Sequence, residues 1–313
     1  MAHEILPLPT ESPPVNPLRS WFLAARPKTL GIAVVPVAVG SALAWSERSE
    51  MNWLVALAAL AAALLIQIGT NLYNDAADFE RGADTPDRLG PARATAQGWL
   101  TPPEVKRTAW ASFSLAFLIG IYLAWIGGWP IVIVGLLSLV AGYAYTGGPR
   151  PIAYSALGEL FVFLFFGLIG VLGSYYLQRG ALSWNALTVA SAVGLLAAAV
   201  LLVNNYRDLE TDERADKLTL THYLGRPCSR LAYGLMLLLP FTLPLWLEDT
   251  PQATWLILIA LPMALALWRR FSREPAGPVF NQILARTAQL QLLFGTLLII
   301  GLVFDTLVPA LSA

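Results

Sequence analysis

Carboxylate and amide side chains are concentrated in two short stretches, 71–87 and 204–216, which hold five each of the 20 acidic residues. In the first stretch, the i, i+3, i+4, i+7 spacing of one helix face joins Asn71, Asn74, Asp75 and Asp78. In the second, a spacing of four residues joins Asn204, Asp208 and Asp212. Oxygen atoms of these types bind Mg²⁺ in proteins, commonly together with substrate phosphates. The two stretches therefore predict a site that holds two or three Mg²⁺ ions around one diphosphate.

An acidic helix end is often only a solvated surface, and this alternative stays open for either stretch taken alone. The match between the two stretches argues against it. Carboxylates at the inner edge of a membrane bundle are costly unless they are paired or coordinated. Two helices that face each other with these side chains would place the site between the halves of one bundle.

The elements that must position these side chains are membrane helices. The chain is 57% hydrophobic and 13% charged, with a mean hydropathy of +0.61, whereas a soluble domain carries about 25% charged residues. Apolar runs of about the 20 residues needed to cross a bilayer occur at 29–46, 52–73, 108–126, 130–146, 157–178, 184–204, 230–247, 253–269 and 286–305. We therefore expect an all-α integral membrane protein of about nine transmembrane helices, arranged as two four-helix halves plus one extra helix.

The positive charges predict the orientation. With the N-terminus inside, 18 of the 20 Lys and Arg residues fall in inner connections, and only Arg48 and Arg179 fall in outer ones, which is a strong positive-inside bias. Both acidic stretches then lie on the cytoplasmic side. Residues 1–20 are expected to form a polar, proline-rich tail, and residues 21–313 a single membrane domain.

Composition also excludes other kinds of site. The formal net charge is zero, and nucleic-acid binding, which usually needs a basic surface, is not expected. A single cysteine, Cys228, excludes an internal disulfide and a multi-cysteine metal site. Two histidines, His3 and His222, exclude a histidine cluster, so oxygen ligands must hold any metal. The sequence does not indicate an oligomeric state.

Both acidic stretches, and two further segments, resemble the UbiA superfamily of intramembrane prenyltransferases. The resembling segments are NLYNDAADFERGADTPDRLGPARATAQGWL, YTGGPRPIAYSALGELFVFLFFG, NNYRDLETDERADKLTL and LARTAQLQLLFG. Within the superfamily, the first segment is similar to the 1,4-dihydroxy-2-naphthoate prenyltransferase (MenA) branch. The resemblance covers about residues 20–304. It departs from the family pattern at Ala76, where an aromatic residue is usual, and at Asp216, where glycine is usual.

The resemblance implies Mg²⁺-dependent transfer of a polyprenyl chain from polyprenyl diphosphate to 1,4-dihydroxy-2-naphthoate, with loss of CO₂ and diphosphate, in the bacterial plasma membrane. The product would be a demethylmenaquinol. With this activity, we assign catalysis and metal binding to Asp75, Asp78, Asp208 and Asp212, with Asn74 as a further metal ligand. We assign substrate contacts to Lys28, Asn71, Asn74, Arg88, Tyr145, Arg150, Asn204, Asn205, Arg207 and Lys217. The prenyl chain would lie between helices that open to membrane lipid.

Several residue assignments leave an alternative open. Four tyrosines could stabilise an allylic cation or form an interfacial aromatic belt: Tyr73, Tyr143, Tyr145 and Tyr206. Glu159 could make a structural hydrogen bond within the bundle or contact the pocket of the aromatic substrate. Any single cation near the acidic stretches could reflect membrane topology alone.

Other functions remain alternatives. Another superfamily branch would use homogentisate or 4-hydroxybenzoate as its aromatic substrate, or a phytyl donor. A transporter would place ionisable residues near the bilayer midplane, where this sequence has almost none. A non-catalytic scaffold would not explain two matched acidic faces.

Overall fold

The computed structural model describes residues 16–84, 88–247 and 252–312, and all regular structure within them is helical. The helices are α1 (Pro17–Ala24), α2 (Pro27–Arg48), α3 (Trp53–Glu80), α4 (Pro102–Gly127), α5 (Trp129–Ala144), α6 (Gly158–Phe163), α7 (Gly170–Arg179), α8 (Trp184–Arg214), α9 (Leu220–Leu238), α10 (Leu261–Arg273) and α11 (Phe280–Ser312). Three 3₁₀ segments are Ile152–Tyr154, Leu239–Leu245 and Gln252–Ala260, and a π-helical segment is Leu164–Ile169.

The expected all-α membrane protein is confirmed. Within the described residues, eight helical segments are long and apolar enough to cross a membrane, and α5 is a shorter apolar helix of 16 residues. The π-helical segment joins α6 and α7 into one continuous span, Gly158–Arg179. These nine segments correspond to the nine apolar runs of the sequence.

The N-terminal tail was expected over 1–20, and residues 1–15 lie outside the described residues. Residues 17–20 instead belong to α1. The Asn16 side chain accepts a hydrogen bond from the Leu18 amide (3.0 Å), and Pro17 occupies the first helical position. Both features favour the start of a helix, so the polar composition of this region does not prevent a short helix before the first span.

Both acidic stretches are helical extensions of apolar spans. α3 continues past its apolar run to Glu80, and α8 continues past its own to Arg214. Neither extension contains glycine or proline. α3 ends just before Gly82 (φ +69°), and α8 ends just before Asp216 (φ +53°), where left-handed backbone interrupts helical geometry. The acidic faces are therefore built on rigid helices.

α8 lies at the centre of the largest buried core, and small residues bring it close to its neighbours. A Cβ atom on Gly167 would lie 2.5 Å from the Cα atom of Gly194, so only glycine allows the π-helical segment to approach α8 this closely. At the opposite end of the molecule from the acidic stretches, exposed aromatic side chains begin or end the spans: Trp53, Trp125, Trp129 and Trp184. Such a ring of tryptophans is typical of a membrane interface.

Candidate active site

A cavity of about 1120 Å³ is lined by side chains of both acidic stretches. Its polar lining includes Arg26, Asn71, Asn74, Asp75, Asp78, Arg88, Arg93, Asn204, Asn205, Arg207, Lys217 and Asn281. The rest of the wall is largely apolar, with side chains from α2, α4, α5 and the α6–α7 span, among them Pro36, Phe117, Phe161 and Phe165. The cavity therefore joins a polar end to an apolar chamber.

Asn74 and Asp78 form the centre of the first cluster. The Asn74 side-chain oxygen accepts hydrogen bonds from Arg26 Nη2 (2.8 Å) and from Arg93. Asp78 accepts from Arg93 Nη2 (3.0 Å) and, at its other oxygen, from the Tyr154 hydroxyl (3.0 Å). Both side chains are buried. The acidic face of α3 is thus partly neutralised by two arginines from outside the helix.

Asp75 holds the loop that follows α3. One carboxylate oxygen accepts from the Thr95 amide (2.9 Å) and the Thr95 hydroxyl (2.6 Å), and the other accepts from the Ala94 amide (3.1 Å). These bonds use three of the roughly four acceptor positions of a carboxylate. Asp75 therefore fixes the segment that carries Arg88 and Arg93 into the cavity.

Asp84 lies beneath the same loop, between two arginines. Its Oδ1 is 3.3 Å from Arg88 Nε and 3.4 Å from Arg93 Nε, and the side chain is 3% exposed. Its Oδ2 is buried without a hydrogen-bond partner among the described residues. Burial raises the pKa of Asp84 to about 6, although the charge of Arg88 partly opposes the shift.

The second cluster is organised around Arg207, which is 1% exposed. Its guanidinium binds Asp208 through Nε–Oδ1 (2.7 Å) and Nη2–Oδ2 (2.5 Å). It also donates to the side-chain oxygens of Asn204 (2.9 Å) and Asn281 (2.7 Å). One buried arginine therefore contacts three side chains of the site as well as the cavity.

Lys217 and Tyr154 connect the two clusters. Lys217 Nζ lies 3.3 Å from Asp212 Oδ1 and 5.9 Å from the centre of the Tyr154 ring, whose hydroxyl donates to Asp78. Burial acts to lower the pKa of Lys217, but the charges of Asp212 and Asp78 outweigh it, so the pKa is raised. Lys217 is therefore a cation at neutral pH.

Asn281, at the start of α11, closes the site from a distant part of the chain. Its Nδ2 donates to the Leu89 carbonyl (2.8 Å), while its Oδ1 accepts from Arg207. Gly90 follows Leu89, and a Cβ atom there would lie 2.7 Å from Arg88 Nη2 and 3.0 Å from Arg207 Nη2. Because Gly90 has no side chain, the guanidinium groups of Arg88 and Arg207 can lie close to its backbone.

Not all assigned residues enter the cavity. Arg150 is exposed and does not line it. Asp208 and Asp212 lie behind the lining, bound by Arg207 and Lys217. The side chain of Lys28 lies outside the described residues.

Of the four tyrosines, only Tyr145 lines the cavity. Tyr73 and Tyr143 pack edge-on against each other, with ring centres 5.1 Å apart. Tyr206 is buried against Phe280 (5.1 Å) and beneath Arg226 (4.6 Å). These three tyrosines have structural packing roles.

Sequence reasoning missed Tyr154 and Asn281, and it left Arg26 and Arg93, two cations near the acidic stretches, unassigned. The sequence does hold a signal for Arg26, because it precedes proline, which disfavours helical backbone at the preceding residue. Arg26 adopts φ +54° between α1 and α2 and reaches Asn74. Arg93, Tyr154 and Asn281 reach the site through contacts with residues distant in the chain, which no local sequence pattern predicts.

The donor set fits a metal shared with a ligand rather than a closed metal cage. Within the described ranges, no three His, Cys, Asp or Glu side chains come together to hold an ion. The Oδ2 atom of Asp212 is buried and has no partner in the same part of the chain. Mg²⁺ commonly takes only one or two carboxylates and completes its shell with water and substrate phosphates.

Comparison with known proteins identifies the family of this chain. The model of the UbiA prenyltransferase family matches residues 33–281. The chain is 39% identical to the 1,4-dihydroxy-2-naphthoate octaprenyltransferase of Mycobacterium tuberculosis, over 83% of this chain and 85% of that protein. It is 36% identical to the protein of the same name from Escherichia coli, over 92% and 96%. A solved structure of a UbiA homolog from Archaeoglobus fulgidus bound to DMAPP and Mg²⁺ has the same fold, with a TM-score of 0.63 at 15% identity over 90% of this chain and 99% of that one. The chain belongs to the UbiA prenyltransferase family.

Proposed function

We propose that this prenyltransferase moves a polyprenyl chain from its diphosphate to 1,4-dihydroxy-2-naphthoate, releasing CO₂ and diphosphate and forming a demethylmenaquinol. The observation that carries the proposal is the single cavity in which a polar, cation-lined end continues into an apolar chamber. A polyprenyl diphosphate has the same division, with a charged head and a long apolar tail. The naphthoate is supported by the two bacterial relatives named above.

The polar end binds the diphosphate. Arg88, Arg207 and Lys217 line the cavity, and guanidinium and ammonium groups form strong charge-assisted bonds with phosphate oxygens. Asn74, Asp78, Asp208 and Asp212 would hold Mg²⁺ together with the diphosphate. When bound there, Mg²⁺ supplies Lewis-acid stabilisation of the negative charge that develops on the leaving group.

Asp75 contributes to this end through the loop. Because three donors of Ala94 and Thr95 already occupy its carboxylate, we propose that it acts chiefly by holding Arg88 and Arg93 in place. This role differs from the direct metal contact expected from helix spacing alone.

The transfer breaks the bond between the first prenyl carbon and the diphosphate oxygen, and the electron pair leaves with the diphosphate. The naphthoate ring carbon that bears the carboxylate uses a pair of ring π electrons to form the new bond to the prenyl carbon. The pair of the ring–carboxylate bond then restores aromaticity as CO₂ departs. The chamber wall near the polar end, including Phe161 and Phe165, excludes the water that would otherwise capture an allylic cation.

The apolar chamber receives the prenyl tail and gives access to membrane lipid. Several of its lining side chains are also exposed on the outer surface of the helix bundle, including Phe22, Phe117, Ile121 and Leu136. We propose that residues 21–313 act as one domain in the bacterial plasma membrane, with the N-terminus and the polar end on the cytoplasmic side. The distribution of Lys and Arg supports this orientation.

An assay on the purified protein in detergent tests the proposal. It contains 1,4-dihydroxy-2-naphthoate, a polyprenyl diphosphate and Mg²⁺, with EDTA in a parallel reaction, and is analysed by mass spectrometry. We expect a prenylated, decarboxylated naphthoquinol that is not formed with EDTA. Product formation only with homogentisate or 4-hydroxybenzoate, or only with phytyl diphosphate, would contradict the proposed substrates. It would leave the family assignment unaffected.

A further inference from the structure

Glu159 and Asn205 form a buried pair beside the cavity. Glu159 lies in the first turn of α6 and is 2% exposed, and Asn205 lies on α8 and is 4% exposed. Asn205 Nδ2 donates to Glu159 Oε1 at 2.8 Å. An ionised carboxylate only accepts hydrogen bonds. The pair therefore fixes which end of the Asn205 amide faces Glu159.

The other end of the amide is its oxygen, and Asn205 lines the cavity. This oxygen has no hydrogen-bond partner among the described residues, and the same is true of the Tyr145 hydroxyl on the same lining. Phe161 lies two residues after Glu159 and also lines the cavity. Two polar groups without partners among the described residues thus line the same cavity as an aromatic side chain, which suits a flat ring that carries hydroxyl groups.

Hydrogen-bonding capacity indicates which substrate suits the patch formed by Asn205, Tyr145 and Phe161. An amide oxygen backed by a carboxylate repels phosphate oxygens but accepts a hydrogen bond from a hydroxyl group. The cations of the site are instead bound to the acidic clusters, as Arg207 is to Asp208 and Lys217 is to Asp212. The Asn205 oxygen therefore suits a hydroxyl group of the aromatic substrate, which can donate a hydrogen bond, better than the oxygens of the prenyl diphosphate, which only accept.

The pair is also costly as a purely structural contact. The second oxygen of Glu159, Oε2, is buried and has no partner in the described part of the chain. A half-satisfied buried carboxylate destabilises the fold, and an apolar side chain of similar size would hold α6 against α8 without that cost. A carboxylate at this position is better explained by what it does to Asn205.

We propose that Glu159 is a positioning residue that presents the Asn205 side-chain oxygen to a hydroxyl group of the aromatic substrate, with Tyr145 completing the polar part of that subsite. The inference rests on the proposed function. A hydrogen bond accepted from a phenolic hydroxyl also increases the electron density of the ring. This makes the ring a better nucleophile towards the prenyl carbon.

The test compares Glu159→Leu and Asn205→Ala with the wild-type protein by steady-state kinetics. We expect the KM for 1,4-dihydroxy-2-naphthoate to rise about tenfold, as for the loss of one hydrogen bond, and the KM for the prenyl diphosphate to stay within about twofold. The matched control is Tyr233→Phe, which removes a buried hydrogen bond to Thr287 (2.8 Å) away from the cavity. It should change neither KM.

Substrate analogues provide a measurement that would not change if Glu159 had only a structural role. With one hydroxyl replaced by methoxy, the wild-type protein should discriminate against one of the two monomethoxy naphthoates, and both variants should lose that discrimination. Retained discrimination, or an equal rise in both KM values, would overturn the inference. If Glu159→Leu does not fold, the discrimination between the same analogues is measured with Asn205→Ala alone, and that result decides the inference.

Failure of the proposed function gives a different result. If the wild-type protein prenylates only another phenol, the naphthoate assignment is wrong. The same kinetic comparison with that phenol and its methyl ether then decides the role of Glu159.

Discussion

The guanidinium of Arg207 binds the carboxylate of its chain neighbour Asp208 through two hydrogen bonds of 2.7 and 2.5 Å. Both side chains are buried, and the same guanidinium reaches Asn281 on the last helix. A metal bound by Asp208 and a phosphate bound by Arg207 would therefore form at one pair of adjacent residues. The pair couples stability of the fold to the chemistry of the site.

Replacing Arg207 should damage both properties. We expect Arg207→Gln to lose activity and to destabilise the protein by about 3–5 kcal/mol, because it leaves the Asp208 charge buried without its partner. The double variant Arg207→Gln with Asp208→Asn should regain much of the stability and none of the activity. Thermal unfolding in detergent, together with turnover, measures both effects. A single variant as stable as the wild type would show that the pair is not formed.

Asp75 and Asp78 should differ in their response to Mg²⁺, although they share one helix face. Asp75→Asn removes the anchor of the loop, so we expect a raised KM for the prenyl diphosphate and an unchanged Mg²⁺ concentration for half-maximal activity. Asp78→Asn should raise the Mg²⁺ requirement. Thr95→Val, which removes only the hydroxyl bonds to Asp75 and keeps the amide bonds, should resemble Asp75→Asn with a smaller effect. A higher Mg²⁺ requirement in Asp75→Asn would instead establish it as a metal ligand.

Arg88 and Arg150 form a matched pair of cations, one inside the cavity and one outside it. We expect Arg88→Ala to raise the KM for the prenyl diphosphate by at least about tenfold, because a charge-assisted bond is lost. Arg150→Ala should leave both kinetic constants unchanged. Equal effects of the two substitutions would mean that long-range charge, and not contact in the cavity, attracts the diphosphate.

The pH dependence of stability should carry a contribution from Asp84. Its pKa is raised to about 6 from an ordinary value of 3.8, so the folded state binds a proton that the unfolded state has released across that interval. Stability therefore falls as pH rises from about 4 to about 6 and then levels off. Asp84→Asn has no carboxyl group to ionise and so avoids this loss. Its unfolding temperature should therefore exceed that of the wild-type protein only slightly at pH 4.5 and by the full amount at pH 7. A wild-type protein that is more stable than Asp84→Asn at pH 7 would contradict the assignment.

The helical periodicity of the sequence predicts the first acidic face well, whereas only Asn204 of the second face lines the cavity. Asn71, Asn74, Asp75 and Asp78 do share a lining because they follow one another along one rigid helix. The positions of the spans follow from the apolar runs for the same reason. In both cases the relevant contacts are local.

The partners of those faces could not be predicted in the same way. Asn281 and Leu89 are 192 residues apart in the chain, and Arg207 and Asn281 are 74 apart. The loop binds Asp75 through the backbone amides of Ala94 and Thr95. Backbone amides occur at almost every residue, so no sequence pattern predicts this contact. Neither helix spacing nor the resemblance could therefore show the hydrogen bonds that join Asp75 to this loop.

The bridge made by Asn281 has a consequence for biogenesis. α11 follows both acidic stretches in the chain, so the contacts of Asn281 with Arg207 and Leu89 cannot form until α11 has been synthesised. A nascent chain that lacks α11 has both acidic stretches but leaves the Arg207 network open. The order of synthesis thus delays assembly of the polar pocket until α11 has joined the bundle.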